Sequence, residues 1–154
     1  MKKISILILV YLFINGCGYK IVNKDKAITF NIIKVNTTGE KRINYKLRNK
    51  LLSFNKIGNN PITINLKTSK VKTIKEKNIK NEITKYSINI TADITIEDSA
   101  NNEIEKFKFD KIGEYNVAKQ HSQSLNNEKK LINLMTESLQ KKIIDELIIR
   151  LNDL

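Results

Sequence analysis

Hydrophobic and polar residues alternate most regularly over residues 82–97, in the middle of the chain. The residues of one parity are mostly apolar: Tyr86, Ile88, Ile90, Ala92, Ile94 and Ile96. The residues of the other parity are polar: Lys85, Ser87, Asn89, Thr91, Asp93 and Thr95. Because successive side chains of a strand point to opposite faces of the sheet, this alternation predicts a β-strand with one packed face and one hydrated face.

Three further segments have the period of a strand. They cover residues 27–35, 62–77 and 103–115. In the second of these segments the apolar residues change parity part of the way along. This change predicts a bulge or a break in the strand near Thr68 and Ser69.

Residues 40–55 have the spacing of an amphipathic helix. Its apolar stripe consists of Ile43, Leu47, Leu51 and Phe54. Residues 37–39, which come just before it, have the composition of a turn, and Thr38 is a candidate helix cap.

Residues 120–154 are predicted to be mainly one long helix, because apolar residues recur there at intervals of three and four. This stripe consists of Leu131, Leu134, Met135, Leu139, Ile143, Ile144, Leu147, Ile148 and Leu151. Ser122 or Ser124 is the expected cap, and Glu128 is expected in or near the first turn.

The predicted element order is therefore β-α-β-β-β-α, an α+β fold in a single domain that covers residues 27–154. A two-layer α/β sandwich buries both helix stripes and one face of the sheet. In this arrangement a four-stranded sheet carries two helices on one face and leaves the other face exposed.

The first sixteen residues are predicted to be a secretory signal peptide. Two lysines follow Met1, and residues 4–14 form an apolar run that is shorter than the about 20 residues of a transmembrane helix. The run ends in Ile14, Asn15, Gly16 and Cys17, which resembles the lipobox of bacterial lipoproteins.

This lipobox implies that the chain is cut between Gly16 and Cys17 and that lipid is attached to Cys17. In lipoproteins the thiol receives diacylglycerol and the freed amine receives a further fatty acyl chain. Residues 17–26 would then form an acylated tether, and two lipid signals are enough for stable anchoring. The alternative is a free thiol after an ordinary signal peptide, which is a liability in an oxidising compartment.

The chain is strongly basic, with 28 Lys and Arg against 16 Asp and Glu and a formal net charge of +12. The lysines concentrated on the exposed sheet face and its rim are Lys67, Lys70, Lys72, Lys75, Lys77, Lys80 and Lys85. Possible contacts with anionic lipid are Lys67, Lys70, Lys72 and Lys85, because ammonium groups attract phosphates. The alternative is a hydrated surface in a protein of Lys-rich composition, and export across the inner membrane argues against nucleic acid.

Candidate catalytic and metal-binding residues are scarce. The chain has one Cys and one His, so neither a multi-Cys zinc site nor most His-based sites can form. His121 has no nucleophile or carboxylate placed beside it by any motif, and the acidic residues are scattered. We therefore expect a protein that is not an enzyme, with no cofactor and no metal.

The whole pattern resembles the LptE family of lipopolysaccharide-assembly lipoproteins. The similar features are the lipobox followed by Gly18 and Tyr19, the element order, and the terminal segment EYNVAKQHSQSLNNEKKLINLMTESLQKKIIDELIIRL. Within that segment the matching positions are Tyr115, Asn116, Glu128, Ile149, Arg150 and Leu151.

This resemblance implies a function at the outer membrane. LptE proteins sit largely inside the lumen of the β-barrel LptD, assist its assembly, and take part in moving lipopolysaccharide to the cell surface. Gly18, rather than Asp, favours outer-membrane sorting and attachment on the periplasmic side. The alternative is a periplasmic lipid-binding auxiliary lipoprotein of another lipid-transport system, which would need an apolar groove.

The lipobox yields a direct prediction. Mass spectrometry of the mature protein should find Cys17 at the amino terminus with the added mass of its acyl chains, because the lipoprotein signal peptidase cuts only before a lipidated cysteine. An unmodified thiol at the mature amino terminus would remove the anchor from the account.

Overall fold

The computed structural model describes residues 30–54, 58 and 60–151. The elements follow the predicted order: β1 (Phe30–Gly39), α1 (Lys41–Ser53), β2 (Asn60–Lys77), β3 (Ile83–Glu97), β4 (Glu103–Asn116) and α2 (His121–Leu151). The signal peptide, Cys17 and the tether lie outside the described residues. Neither helix within the described ranges is long and apolar enough to cross a membrane.

The four strands form one mixed sheet in the order β1-β2-β3-β4. β1 and β2 are parallel, whereas β2, β3 and β4 form an antiparallel meander. Parallel neighbours need a crossover connection, and α1 provides it between β1 and β2. The register places Ile94 of β3 between Leu66 of β2 and Phe107 of β4.

Both helices cover the same face of the sheet. Apolar residues from β1, β2, β3 and β4 pack in one cluster with Ile43, Leu47 and Leu51 of α1 and with Leu139 and Leu147 of α2. The β3 residues of this cluster have no exposed surface: Ile88, Ile90, Ala92, Ile94 and Ile96. The predicted two-layer α+β sandwich, with two helices on one face of a four-stranded sheet, is confirmed.

The predicted break near Thr68 and Ser69 is wrong. Thr68 is buried on the helix-covered face, where its hydroxyl donates to Asn44 Oδ1 at 2.8 Å. The alternation therefore continues through Thr68, and the irregularity in the pairing of β2 with β3 comes later, between Ile74 and Glu76. Val71, which suggested the change of parity, is 55% exposed and belongs to the other face.

Three smaller predictions about element ends and faces are also wrong. Residues 37–39 belong to β1, and Thr38 does not cap α1, because the cap position falls at Glu40; the Thr38 carbonyl accepts a hydrogen bond from the Asn44 side chain. Glu40 occupies the cap position without a side-chain hydrogen bond. Leu134, assigned to the core stripe of the last helix, is 55% exposed.

Gly39 is required where the chain leaves β1 for α1. Its φ is +97°, and a Cβ atom there would overlap the carbonyl oxygen of Thr68. We expect Gly39→Ala to lower the free energy of unfolding by at least about 2 kcal/mol, because neither the conformation nor the space suits a side chain. Urea denaturation measures the loss.

Gly113→Ala is the matched control for this substitution. Its Cβ would meet Leu131 Cδ1 at 2.8 Å and Met135 Sδ at 2.9 Å, which are ends of flexible side chains that can move aside. An equal loss of unfolding free energy in the two variants would contradict the prediction that Gly39 in particular cannot accept a side chain.

Candidate functional site

The face of the sheet opposite the helices is open and largely polar. Its side chains are linked from strand to strand, since Asn36 Nδ2 donates to Asn65 Oδ1 at 2.8 Å and Asn65 Nδ2 donates to Glu97 Oε1 at 2.6 Å. Farther along, Thr91 Oγ1 donates to Asp110 Oδ1 at 2.5 Å. These bonds cross from β1 to β4, so the strands hold the polar groups in a fixed array.

A groove of about 470 Å³ runs across one end of this open face. Its lining consists of Asn36, Thr38, Asn65, Leu66, Lys67, Asp93, Thr95 and Lys106. Lys67 lies opposite Asp93 in the register, and Lys106 lies opposite Thr95, two residues farther along β3, so the groove contains two cations and one carboxylate. The groove can therefore bind a polar, anionic group through ammonium, amide and hydroxyl donors.

A small apolar patch lies farther along the open face. Val71 and Ile112 flank Asn89 in register, and both are mostly exposed, at 55% and 65%. Between them, the buried Asn89 Oδ1 accepts no hydrogen bond from the described part of the chain. These two apolar side chains and the Asn89 oxygen would be available to a molecule that docks on this part of the open face.

The four lysines predicted to contact anionic lipid do not form one patch. Lys67 lies on the open face and lines the groove, and Lys85 lies on the same face, where its Nζ is 2.6 Å from Glu76 Oε1. Lys70 and Lys72 pair with Ile90 and Ile88 and therefore project from the helix-covered face. The two groups of lysines are thus separated by the thickness of the sheet.

Lys72 is part of a polar cluster that joins the last helix to the sheet. Its Nζ is 2.6 Å from Glu128 Oε2, and the Tyr115 hydroxyl donates to the same oxygen at 2.7 Å. The ammonium group also lies 4.1 Å from the centre of the Tyr86 ring, which stacks on Tyr115. A cation over an aromatic face and a shared carboxylate hold α2 against β2, β3 and β4.

The cluster changes the acidity of its members. Burial disfavours the ionised carboxyl of Glu128, but hydrogen bonds from Lys72 and Tyr115 outweigh it and hold its pKa below the usual value. Burial raises the pKa of Tyr115; Lys72 opposes this effect, and Glu128 adds to it. Burial works against the charge of Lys72, yet the Glu128 carboxylate raises its pKa. Glu128 is therefore ionised and Tyr115 neutral at neutral pH.

The position of Glu128 along the chain is a signal for this cluster that the prediction missed. Glu128 was expected in or near the first turn, but α2 begins at His121 and has no acidic residue there. Glu128 lies three and four residues before Leu131 and Ile132, so helical spacing places it on the apolar stripe, where a carboxylate needs a partner. Lys72 has the parity of the buried Ile64 and Leu66 of β2.

His121 lies exposed at the start of α2 and lines a cavity of about 290 Å³ beside the cluster. Lys72, Tyr115 and Glu128 share that cavity, but their polar atoms already bond to one another. Within the described ranges, no group of three or more His, Cys, Asp or Glu side chains could hold a metal ion. The absence of enzyme activity stays a prediction.

Solved structures of bacterial lipoproteins share this fold. The chain is similar to a minor lipoprotein from Acinetobacter baumannii, with a TM-score of 0.58 and 15% identity over 79% of this chain and 91% of that one. It is also similar to lipoprotein B from Nitrosomonas europaea, with 0.53 and 14% over 80% and 87%, and to rare lipoprotein B from Shewanella oneidensis, with 0.52 and 11% over 74% and 92%.

At these identities the likeness shows the fold alone. By sequence, the chain matches no protein-family model and no curated protein. The body therefore has a fold that bacterial rare and minor lipoproteins adopt, and the resemblance to LptE itself stays a prediction.

The contact of Glu128 with Lys72 and Tyr115, which holds α2 against the sheet, should be sensitive to acid. Because the pKa of Glu128 is lower in the folded protein than its usual value of 4.5, its contribution to stability is present above pH 4.5 and is lost as the pH falls through the folded pKa. We expect Glu128→Gln to cost about 1 kcal/mol of unfolding free energy at pH 7 and less at pH 3. Denaturation at both pH values measures this difference.

Glu137→Gln is the control, because Glu137 is exposed on the same helix. A loss of unfolding free energy in Glu128→Gln that is the same at both pH values would contradict the assigned contact of Glu128 with Lys72 and Tyr115. An equal loss in Glu137→Gln would also contradict it.

Proposed function

We propose that this protein is a lipid-anchored outer-membrane lipoprotein, similar to LptE, that sits in the lumen of an LptD-like β-barrel. There it assists assembly of the barrel and takes part in lipopolysaccharide transport to the cell surface. The observation that carries the proposal is the open polar face of the sheet, which is ordered by cross-strand bonds and covered by no described element.

The open face suits the inside of a β-barrel. The interior of a large outer-membrane barrel is polar, and its side chains alternate with those that face lipid. Amides, hydroxyls and charges on β1 to β4 can hydrogen-bond with such a wall, while Val71 and Ile112 supply apolar contact at the same surface. The helices behind the sheet keep this array rigid, so less ordering is needed on binding.

The groove at Lys67 and Lys106 suits a phosphorylated glycolipid. Its ammonium groups would bind phosphate, and Asn36, Asn65 and Thr95 offer the hydrogen bonds that sugar hydroxyls need. Lys67 thus keeps the role first assigned to it, and Lys106 joins it. Lys72 takes no part in the proposal, because its charge is paired with Glu128.

The alternative of a periplasmic lipid-binding auxiliary lipoprotein requires an apolar groove for acyl chains. The groove on the open face has Leu66 as its one apolar lining residue, and the Leu66 side chain is buried in the core. Nearly every side chain that lines this groove carries a polar or charged group, so this groove suits a polar partner better than an acyl chain.

Depletion of the protein should lower both surface lipopolysaccharide and the amount of folded barrel. Wild-type protein and the variant Lys142→Glu, changed at an exposed position on α2, should restore both. The double variant Lys67→Glu with Lys106→Glu should leave surface lipopolysaccharide about fivefold lower, because two attractive contacts become repulsive. Surface labelling of lipopolysaccharide and heat-modifiable migration of the barrel measure the two effects.

Normal levels of both after depletion would remove the proposed role. Full rescue by the double variant would remove only the lipid contact at the groove.

A further inference from the structure

The charged residues of α1 are all cations. The helix contains Lys41, Arg42, Lys46, Arg48 and Lys50 and neither Asp nor Glu. The longer helix α2 is nearly balanced, with Lys129, Lys130, Lys141, Lys142 and Arg150 against Glu128, Glu137, Asp145 and Glu146. The positive charge of the helix layer is therefore concentrated on α1.

These cations have no carboxylate partner in the described part of the chain. None of the ion pairs that the structure describes includes a side chain of α1. Lys46 Nζ lies 2.9 Å from Asn133 Oδ1, which is the oxygen of a neutral amide. The lysines of β2 differ, because Lys70, Lys72 and Lys75 are paired with Glu40, Glu128 and Glu114. The charge of α1 is thus available to an anion from outside.

Two apolar side chains lie among the cations on the exposed side of α1. Lys41, Tyr45, Arg48 and Leu52 follow one another at helical spacing and form one stripe along this side. Tyr45 is 68% exposed and Leu52 is 36% exposed. A stripe in which cations alternate with an aromatic and an aliphatic side chain is typical of a helix that lies in a membrane interface.

α1 lies on the side of the molecule where the chain arrives from the predicted anchor. It packs mainly on β1, at one edge of the sheet, whereas α2 packs mainly on β4 at the other edge. Residues 17–29 separate Cys17 from Phe30, the first residue of β1. A segment of this length spans at most about 45 Å, and a helix as long as α1 measures roughly 20 Å. The whole of α1 can therefore reach a bilayer that holds Cys17.

We propose that the exposed side of α1 lies on the surface of a bilayer that contains anionic phospholipid. Its cations meet the lipid phosphates, and Tyr45 and Leu52 enter the interface. The open face of the sheet, on the other side of the molecule, then points into water and stays free for a partner. The inference rests on the predicted anchor at Cys17 and not on the barrel, since it describes the protein before it meets one.

Other occupants suit this surface less well. A second copy that docked through α1 would bring two rows of cations together. An acidic protein would match the charge, but it would compete with phospholipid that the anchor holds at high effective concentration beside α1. Anionic phospholipid matches both the charge and the interfacial side chains.

The test uses the mature acylated protein in phosphatidylcholine vesicles with and without phosphatidylglycerol. The chain contains no Trp, so a single introduced Trp reports its own surroundings. In vesicles with phosphatidylglycerol, Tyr45→Trp should emit at a shorter wavelength and be quenched by lipids with brominated acyl chains. Ile112→Trp, at an exposed position of the open face, should keep the emission of a hydrated Trp and escape quenching.

Charge variants of Tyr45→Trp test the cations. Lys41→Gln with Arg48→Gln should lower the ratio of docked to undocked protein at least about tenfold, because each cation near an anionic surface contributes about fivefold. Lys141→Gln with Lys142→Gln, at exposed positions of α2, should leave the ratio unchanged. Salt at about 1 M should release α1, because it reduces the screening length to about 3 Å.

A Tyr45→Trp protein that stays unquenched in vesicles with phosphatidylglycerol would overturn the inference. Equal quenching in pure phosphatidylcholine, or equal quenching of Tyr45→Trp and Ile112→Trp, would do the same. If the protein does not float with the vesicles at high salt, the anchor is absent and the inference falls with it. Co-purification of a large barrel in mild detergent is a separate result, so the proposed function fails independently.

Discussion

The structure depends on β3 being paired on both edges while only one of its faces is apolar. Five side chains between Ile88 and Ile96 have no exposed surface, so this face must be covered along the strand. Burial of apolar surface provides the main driving force, and it brings α1 and α2 to the same side. A slip of one residue in the register would turn the isoleucines outward and the polar row inward. The hydrated second face is thus a direct consequence of how the first face is buried.

Hydrogen bonds and ion pairs hold the helices against the sheet at positions where the helix-covered face has polar strand residues. Thr68 bonds to Asn44 of α1, Lys72 and Tyr115 meet at Glu128 of α2, and Arg150 Nη1 lies 2.9 Å from Glu105 Oε2 on β4. Thr68 and Asn44 are buried, so their hydrogen bond satisfies groups that would otherwise be costly to bury. Together these contacts make the layer behind the open face stiff, which is what a surface needs if it is to dock without rearranging.

Local pattern was enough to predict the element order and the packed face of β3, because alternation there continues over a dozen residues. The pattern failed at Thr68. This buried position holds a threonine that bonds to Asn44, whereas the pattern requires an apolar residue to indicate a buried position. That error also put Lys70 and Lys72 on the wrong face. Prediction of the groove requires the register of the strands. Lys67, Asp93 and Lys106 are distant in sequence and come together only when β2, β3 and β4 are paired. The anchor at Cys17 stays a prediction.

The most direct measurement is maleimide labelling of single cysteines along β3 in cells, in a mature protein that keeps its lipidated Cys17. Cysteines in place of Asn89, Thr91, Asp93 and Thr95 should react in the free protein and become protected when the barrel partner is present. Cysteines in place of Ala92 and Ile94 should remain unreactive in both states. Equal labelling of the polar row with and without the barrel would contradict a sheet whose open face is docked in the lumen.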